Sequence, residues 1–332
     1  MKEIITLDHG SGGLRTSELI EQVLLPAYGN AALNELGDGA VLADLGGQPV
    51  FSTDSFVVTP WKFPGGDIGK LAVCGTVNDV CMAGGRPKYL SLALILEEGF
   101  AMDDLRTIVA SAAETAKACG VQIVTGDTKV VERGHVDGIY INTAGIGVLR
   151  AEGLGRAAIR PGDAVIVSGS VGCHGAAVMM ARGDIPCEGT LLSDCRPLHE
   201  LSAAALAAGG VRILRDPTRG GVATTLNEFV EGGSLCIELD EDAIPVDPAV
   251  TAACDLLGLD PLYSACEGRM LAVVEPGHVD AVLNALHALP GGEGAVQIGR
   301  VTTSRPGQVV LNAAFGSRIL GKLTGAQLPR IC

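Results

Sequence analysis

Arg215-Asp216-Pro217-Thr218-Arg219-Gly220-Gly221 follows an apolar run, Val211 to Leu214, and precedes a helical pattern that reaches about Glu231. The order reads as a strand, a polar turn and a helix. Working back from it, Leu198 to Ala208 predicts a helix. Ala164 to Ser168 predicts a buried strand, followed by Gly169-Ser170-Val171-Gly172-Cys173-His174-Gly175 at the head of another helix. Working forward, strands are expected at Ile237 to Leu239, Arg269 to Val274, Ala295 to Thr302 and Val309 to Asn312. Helices are expected at Pro248 to Leu257 and about His278 to Ala288. The second half of the chain is therefore an alternating α/β unit.

The first half alternates less strictly. An extended run from Pro49 to Thr59 leads to a helix from about Asp67 to Ala83 and a buried strand from Tyr89 to Leu96. An amphipathic helix from Asp103 to Cys119 stops at Gly120. Strands follow at Val121 to Val124 and Ile139 to Leu149. Arg156 to Gly162 reads as a linker. The fold class is α+β, with a first domain over 1–155, a second over 156–316 and a mobile tail over 317–332.

With 332 residues the chain is long enough for two domains. It is 47% hydrophobic but only 3% aromatic, so its core is Ala, Val, Leu and Ile. A formal net charge of −14 argues against nucleic acid and anionic membrane as partners. It also means that a polyanion such as ATP needs a bound cation or local basic groups. Ten cysteines are present, none in a C-x-x-C pair. Most sit inside apolar runs and read as small buried hydrophobes. No secretory signal follows Met1, and the longest apolar stretch is too short to span a bilayer. A cytoplasmic protein with reduced thiols is expected.

Asp38, Asp54, Asp79 and Asp127 stand at strand or helix ends beside Gly, Ser, Thr or Asn. Each alone reads as a turn or cap residue. As a set, with Asn78, they predict a hard divalent cation, because converged carboxylates repel one another and any phosphate. Mg²⁺ with ATP is the expected pair. Lys129 lies two residues after Asp127 and can meet phosphate oxygens. Gly10, Gly12 and Gly13, in Asp8-His9-Gly10-Ser11-Gly12-Gly13, can offer backbone N–H groups to the same ligand. There is no Walker A loop.

The last four residues are Pro329-Arg330-Ile331-Cys332. A terminal thiol is poorly shielded and an odd place for a structural cysteine. The 15 residues after Ser317 show no strand pattern and could reach roughly 50 Å when extended.

Asp8 to Gly13, Asn78-Asp79, Gly126-Asp127-Thr128-Lys129, Arg215 to Gly221 and the terminal Pro-Arg-Ile-Cys together resemble the HypE family of hydrogenase maturation proteins. That family belongs to the superfamily of aminoimidazole ribonucleotide synthetase and selenophosphate synthetase. The resemblance spans essentially the whole chain, and the terminal motif is its specific part. It implies a two-domain, PurM-like protomer whose N-terminal domains pair in a homodimer, with ATP near the interface. It also implies a reaction. A carbamoyltransferase, HypF, loads the terminal cysteine as a thiocarboxamide. ATP-dependent dehydration then gives a thiocyanate, whose cyano group passes to iron on a HypC–HypD complex as the cyanide ligand of [NiFe]-hydrogenase.

In that chemistry Cys332 carries the substrate, Glu267 is the candidate base, and Lys129 and Mg²⁺ neutralise charge. Arg219 can hold the tail carboxylate or a phosphate. Beside His174 the family commonly has an acidic residue where this chain has Cys173, so His174 receives no role. Two other readings share these residues. One is a small-molecule ATP enzyme like selenophosphate synthetase, which would have a reactive Cys or Sec near the N-terminus; residues 8 to 13 contain none. The other is a carrier that only presents Cys332.

Overall fold

The computed structural model describes residues 3–37, 39–183, 191–323 and 330–332. Short helices α1 (Leu14–Leu19) and α2 (Leu25–Tyr28) lead to strand β1 (Pro49–Phe56). A small ribbon, β2 (Lys62–Phe63) and β3 (Gly66–Asp67), precedes helix α3 (Ile68–Met82). Then come β4 (Gly85–Glu97), α4 (Met102–Ala118), β5 (Gln122–Val131) and β6 (Ile139–Leu149). The four long strands form one sheet in the order β1-β6-β4-β5.

Helix α3 is the hub of the molecule. Asp67 caps its start, accepting from the N–H groups of Gly69 and Lys70 at 2.8 and 3.0 Å. It is apolar nearly all round and buried along almost its whole length, as a helix must be when it faces neighbours on every side. It packs on β1, β6 and β4, on α4, and on the helix His199–Ala208 and the strand Val211–Arg215 of the second half. Helix α4 is one-sided. Leu105, Ile108, Val109, Ala112 and Ala116 form its buried stripe.

The second half runs β7 (Ala164–Val167), α5 (Cys173–Arg182), α6 (His199–Ala208), β8 (Val211–Arg215) and α7 (Gly221–Val230). It continues with β9 (Cys236–Asp240), α8 (Pro248–Leu257), β10 (Leu271–Val274) and α9 (Val279–His287). Strands β11 (Val296–Thr302), β12 (Val309–Ala313) and β13 (Gly316–Leu320) complete it. The sheet order is β13-β12-β9-β11-β7-β10-β8. Strand β7 is buried on both faces, with Ile166 in the core that includes α6 and α9 and with Val165 and Val167 in the core under α7. That double burial is why it reads as an unbroken apolar run. Among the described residues no helix is long and apolar enough to cross a membrane.

The expected α+β class and most expected elements are present. One expectation is corrected. Residues 317–320 do not begin a free tail, because they belong to β13, paired antiparallel with β12. Only Leu320 of this edge strand is buried, so its sequence carries no apolar alternation to read. Tyr263 Oη donates to Gly321 O at 2.7 Å, and Lys322 pairs with Glu231, which fixes the chain two residues further on.

Candidate active site

Strand β8 ends at Arg215, and the chain turns through Asp216 to Gly220 into α7. Gly221 has φ of 61°, and a Cβ there would lie 2.5 Å from Leu262 O. Both facts require glycine. The turn is tied to the segment before β10, where Cys266 N donates to Pro217 O at 3.0 Å. That segment presents Glu267. A Cβ on the next residue, Gly268, would overlap Asp194 O at 1.9 Å, so only glycine lets the backbone pass there.

The end of the chain lies against this turn. Val57 N donates to Cys332 O at 3.1 Å and Thr59 N to Arg330 O at 3.4 Å, so the tail runs beside residues 57–59. Arg330 Nε returns a bond to Val57 O at 3.1 Å, and its Nη1 pairs with Asp137 at 2.7 Å. Its guanidinium lies over the Tyr140 ring. Arg182 donates to Arg330 O. Ile331 is 5% exposed and joins the main core.

His174 holds the middle of this segment. Its Nε2 is 2.8 Å from Ile331 O and its Nδ1 is 2.8 Å from Ser193 Oγ. Burial pulls the imidazole down to about 4, against the bond to Ile331, so it is neutral at pH 7. Nε2 therefore donates to the carbonyl, and Nδ1 accepts from the serine. Ser193 Oγ in turn accepts from Cys195 N at 3.0 Å. Sequence reading gave His174 no role, because Cys173 stands where the family commonly has an acid; the contact that occupies it lies 157 residues away.

Of the nine cysteines described, eight are buried and Cys332 alone is partly open. The expectation of a poorly shielded thiol is corrected. Burial, and then the facing Glu267, push the Cys332 thiol up to about 11, while Arg219 opposes this by its charge and a hydrogen bond. Glu267 is 2% exposed, and its Oε1 has no hydrogen-bond partner. Burial first, then Cys195 and the acids Asp216, Asp194 and Asp54, hold its carboxyl well above the usual range. Asp216 is raised to about 7 by burial and by Asp79. Asp54 is raised mainly by burial. Asp79, accepting from Ser52 Oγ at 2.8 Å, is raised by burial and by Asp54. The cradle thus joins the candidates Cys332, Glu267, Arg219, Asp54 and Asp79, and adds Asp216 and His174.

Other expected residues lie elsewhere in the chain. Register runs Asp54–Thr143–Leu92–Gly126 across four strands, so Asp127 on β5 is roughly 14 Å from Asp54. Asp127 pairs with Ala93 rather than with the buried Leu92, so it points to the opposite sheet face from Asp54. It is bound to Lys129 at 2.8 Å, both side chains being about 60% exposed, and Lys129 holds its carboxyl below the usual range. The Gly10 backbone packs against Val130, next to Lys129, with Gly12 and Gly13 at the start of α1. A cavity of about 260 Å³ beside them is lined by Tyr28, Gly37, Gly39 and Asp127. Gly10, Gly12, Gly13, Asp127 and Lys129 therefore form a second group, which we call the rim.

Within one chain Asp127 does not converge with Asp54 and Asp79, which corrects the expectation of one metal cluster. Asp38 lies outside the described residues, and among those described no three side chains are placed to hold a metal ion. Asn78 is also corrected. It is fully buried, its amide donates to Arg196 O at 3.2 Å, and its Oδ1 accepts from Leu198 N at 2.7 Å. It joins α3 to the start of α6 and is shut away from solvent.

With this geometry in view, the relatives are informative. "AIR synthase related protein, N-terminal domain" matches residues 36–149, and the corresponding C-terminal domain matches 160–312. A carbamoyl dehydratase HypE of Rhizobium leguminosarum bv. viciae is 49% identical, covering 99% of this chain and 95% of that protein. The chain belongs to the HypE family. The Escherichia coli K12 carbamoyl dehydratase HypE is 47% identical, with 99% of each chain covered. A solved structure of hydrogenase maturation protein HypE in complex with ATP superposes with a TM-score of 0.94 at 45% identity, covering 98% of this chain and 99% of that one. A structure of a HypE–HypF complex matches with a TM-score of 0.80 at 44% identity, over 92% and 99% of the two chains.

Proposed function

We propose that this protein is an ATP-dependent carbamoyl dehydratase acting on its own C-terminal cysteine. The observation that carries this reading is the terminal thiol docked beside a buried glutamate with an orphaned oxygen. Glu267 Oε1 has no donor, and a carbamoyl group on Cys332 Sγ would bring two N–H donors to that position.

The carbamoyl oxygen of –S–C(=O)–NH₂ attacks the γ-phosphorus of ATP, the bond to ADP breaks, and the oxygen becomes phosphorylated. The C–O bond then breaks with phosphate as the leaving group. Both N–H protons are lost, and –S–C≡N forms. Glu267 accepts a proton from nitrogen when ionised, and its raised affinity for protons makes it a stronger base than an exposed carboxylate. Arg219 lies against the sulfur and counters the charge of the acids around it. His174 and the N–H groups of Val57 and Thr59 fix the tail so that the reacting carbon faces Glu267.

Asp54 and Asp79 fit one Mg²⁺, because the charge of Asp54 raises the proton affinity of Asp79 and a hard cation takes one or two carboxylates plus phosphate oxygens. Bound there, the ion would neutralise phosphate charge. The rim supplies Lys129, Asp127 and the N-terminal glycines to the nucleotide. Rim and cradle are too far apart in one chain, so a homodimer that apposes the rim of one copy to the cradle of the other completes the site.

The docked thiol, at about 11, stays protonated near neutrality and is a poor nucleophile. Loading by the carbamoyltransferase HypF therefore occurs on the released tail. The thiocyanate would leave the same way, to give its cyano group to iron on the HypC–HypD complex. Mass measurement of the C-terminal peptide tests this. Carbamoylation should add one carbamoyl group to Cys332, and ATP should then remove one water from it. A modification on another cysteine would refute the reading.

A further inference from the structure

A cavity of about 550 Å³ lies on the other side of the joint between the two halves, away from the tail. Its walls are the start of β4 with Arg86, the chain leaving β6 with Arg150, and the first turns of α6 with His199 and Ser202. Pro87 and Leu206 give it an apolar side. In a chain of net charge −14, two exposed arginines line this one cavity. Among the described residues, the side chains of Arg86 and Arg150 make no ion pair and no hydrogen bond. His199 Nδ1 is shut off from water and has no partner either. Helix α6, ten residues long, starts here without a side-chain cap, so its first N–H groups add positive potential. Glu200 is the one acid in the lining.

We propose that this cavity binds a small organic phosphate, a phosphate monoester carrying an apolar body. Arg86 and Arg150 would take the phosphate oxygens, His199 would give one N–H, and Pro87 and Leu206 would cover the body. The volume lies within the range usual for small-molecule pockets. A dianion suits two separated arginines and a helix start better than a monocarboxylate does. The site touches none of the residues assigned to the tail or the nucleotide. Its walls come from both halves, so a ligand there would also brace the joint at α3 and α6.

The test is calorimetric titration of the full-length protein with phenyl phosphate, with inorganic phosphate and benzoate as comparators. Phenyl phosphate should bind more tightly than either. Arg86→Gln/Arg150→Gln should weaken it by about tenfold to a hundredfold, as expected for lost charged hydrogen bonds, with ATP binding unchanged. Glu200→Gln should tighten it, which keeps the test decisive if the double variant does not fold. Proton NMR should show the His199 imidazole titrating at higher pH once phenyl phosphate is bound, against the fixed charges of Arg86, Arg150 and Glu200 and the thiol of Cys119. Equal binding by wild type and double variant, or equal affinity for inorganic phosphate, would overturn the assignment.

Discussion

Asp127 and Glu267 are both acids expected at the site, yet their settings are opposite. Asp127 is exposed on the rim, next to Lys129, and Lys129 lowers its proton affinity. Such a surface pair contributes only about 0–1 kcal/mol, so it is readily given up to a phosphate or a cation. Glu267 is enclosed in the cradle, without a cation on Oε1, and burial raises its proton affinity. The first setting suits steady negative charge. The second suits moving a proton. Residue type alone does not separate these two tasks; burial and neighbours do.

The sharpest way to break this contrast is to remove what the cradle holds. Cys332→Ala should abolish tail modification completely while ATP binding and fold persist, as read by intact mass and thermal unfolding. Any competent Cys332→Ala protein would sink the cradle reading.

Next in size is Glu267→Gln, which keeps shape and removes the base. Dehydration of a preloaded tail should fall by about 10²–10⁴, while calorimetry still shows ATP binding. Asp127→Asn, by contrast, should weaken ATP binding itself.

Mixing the two variants tests whether rim and cradle come from different copies. Equal amounts of Asp127→Asn and Glu267→Gln chains, each inactive alone, should recover about a quarter of wild-type activity. Half the dimers would be mixed, and each would hold one intact site. No recovery after subunit exchange is verified would place both acids in one chain's site.

The smallest effect concerns the latch. His174→Phe leaves Ile331 O without its donor, a loss of about 1–3 kcal/mol. Alkylation of Cys332 at neutral pH should speed up by around tenfold. The pH dependence has a definite sign. His174 sits near 4 when folded and near its ordinary value when unfolded, so the unfolded chain binds more protons in between. Its contribution is complete above about 6.5 and is lost as pH falls toward 4. Wild type should therefore lose stability across that range more steeply than His174→Phe, measured as thermal midpoints.

Much of this was legible in the sequence because the signals were local. The buried strand β7, the stripe of α4 and the turn from Arg215 to Gly221 each declare themselves within a few residues. The helices α1 and α2 were missed, since they are short and carry little buried surface. Strand β13 was missed because an exposed edge needs no apolar alternation. Asn78 was misread because its partners, Arg196 and Leu198, lie about 120 residues away. His174 was given no role because of Cys173 beside it, while the contact it makes, with Ile331, is far away in sequence. The four aspartates shared a local character, yet the register of one sheet sends Asp127 to the opposite face from Asp54.

The pairing of β13 with β12, ending at the buried Leu320, sets a tether length. The twelve residues after Leu320 remain to carry the sulfur outward. Fully extended they span roughly 40 Å, against roughly 50 Å for an arm hinged at Ser317. A shorter leash raises the local concentration of the thiol at its own site. It also means that any visiting enzyme must bring its reaction centre within that radius of Leu320. The geography of docking is thus written into an edge strand that takes no part in the chemistry.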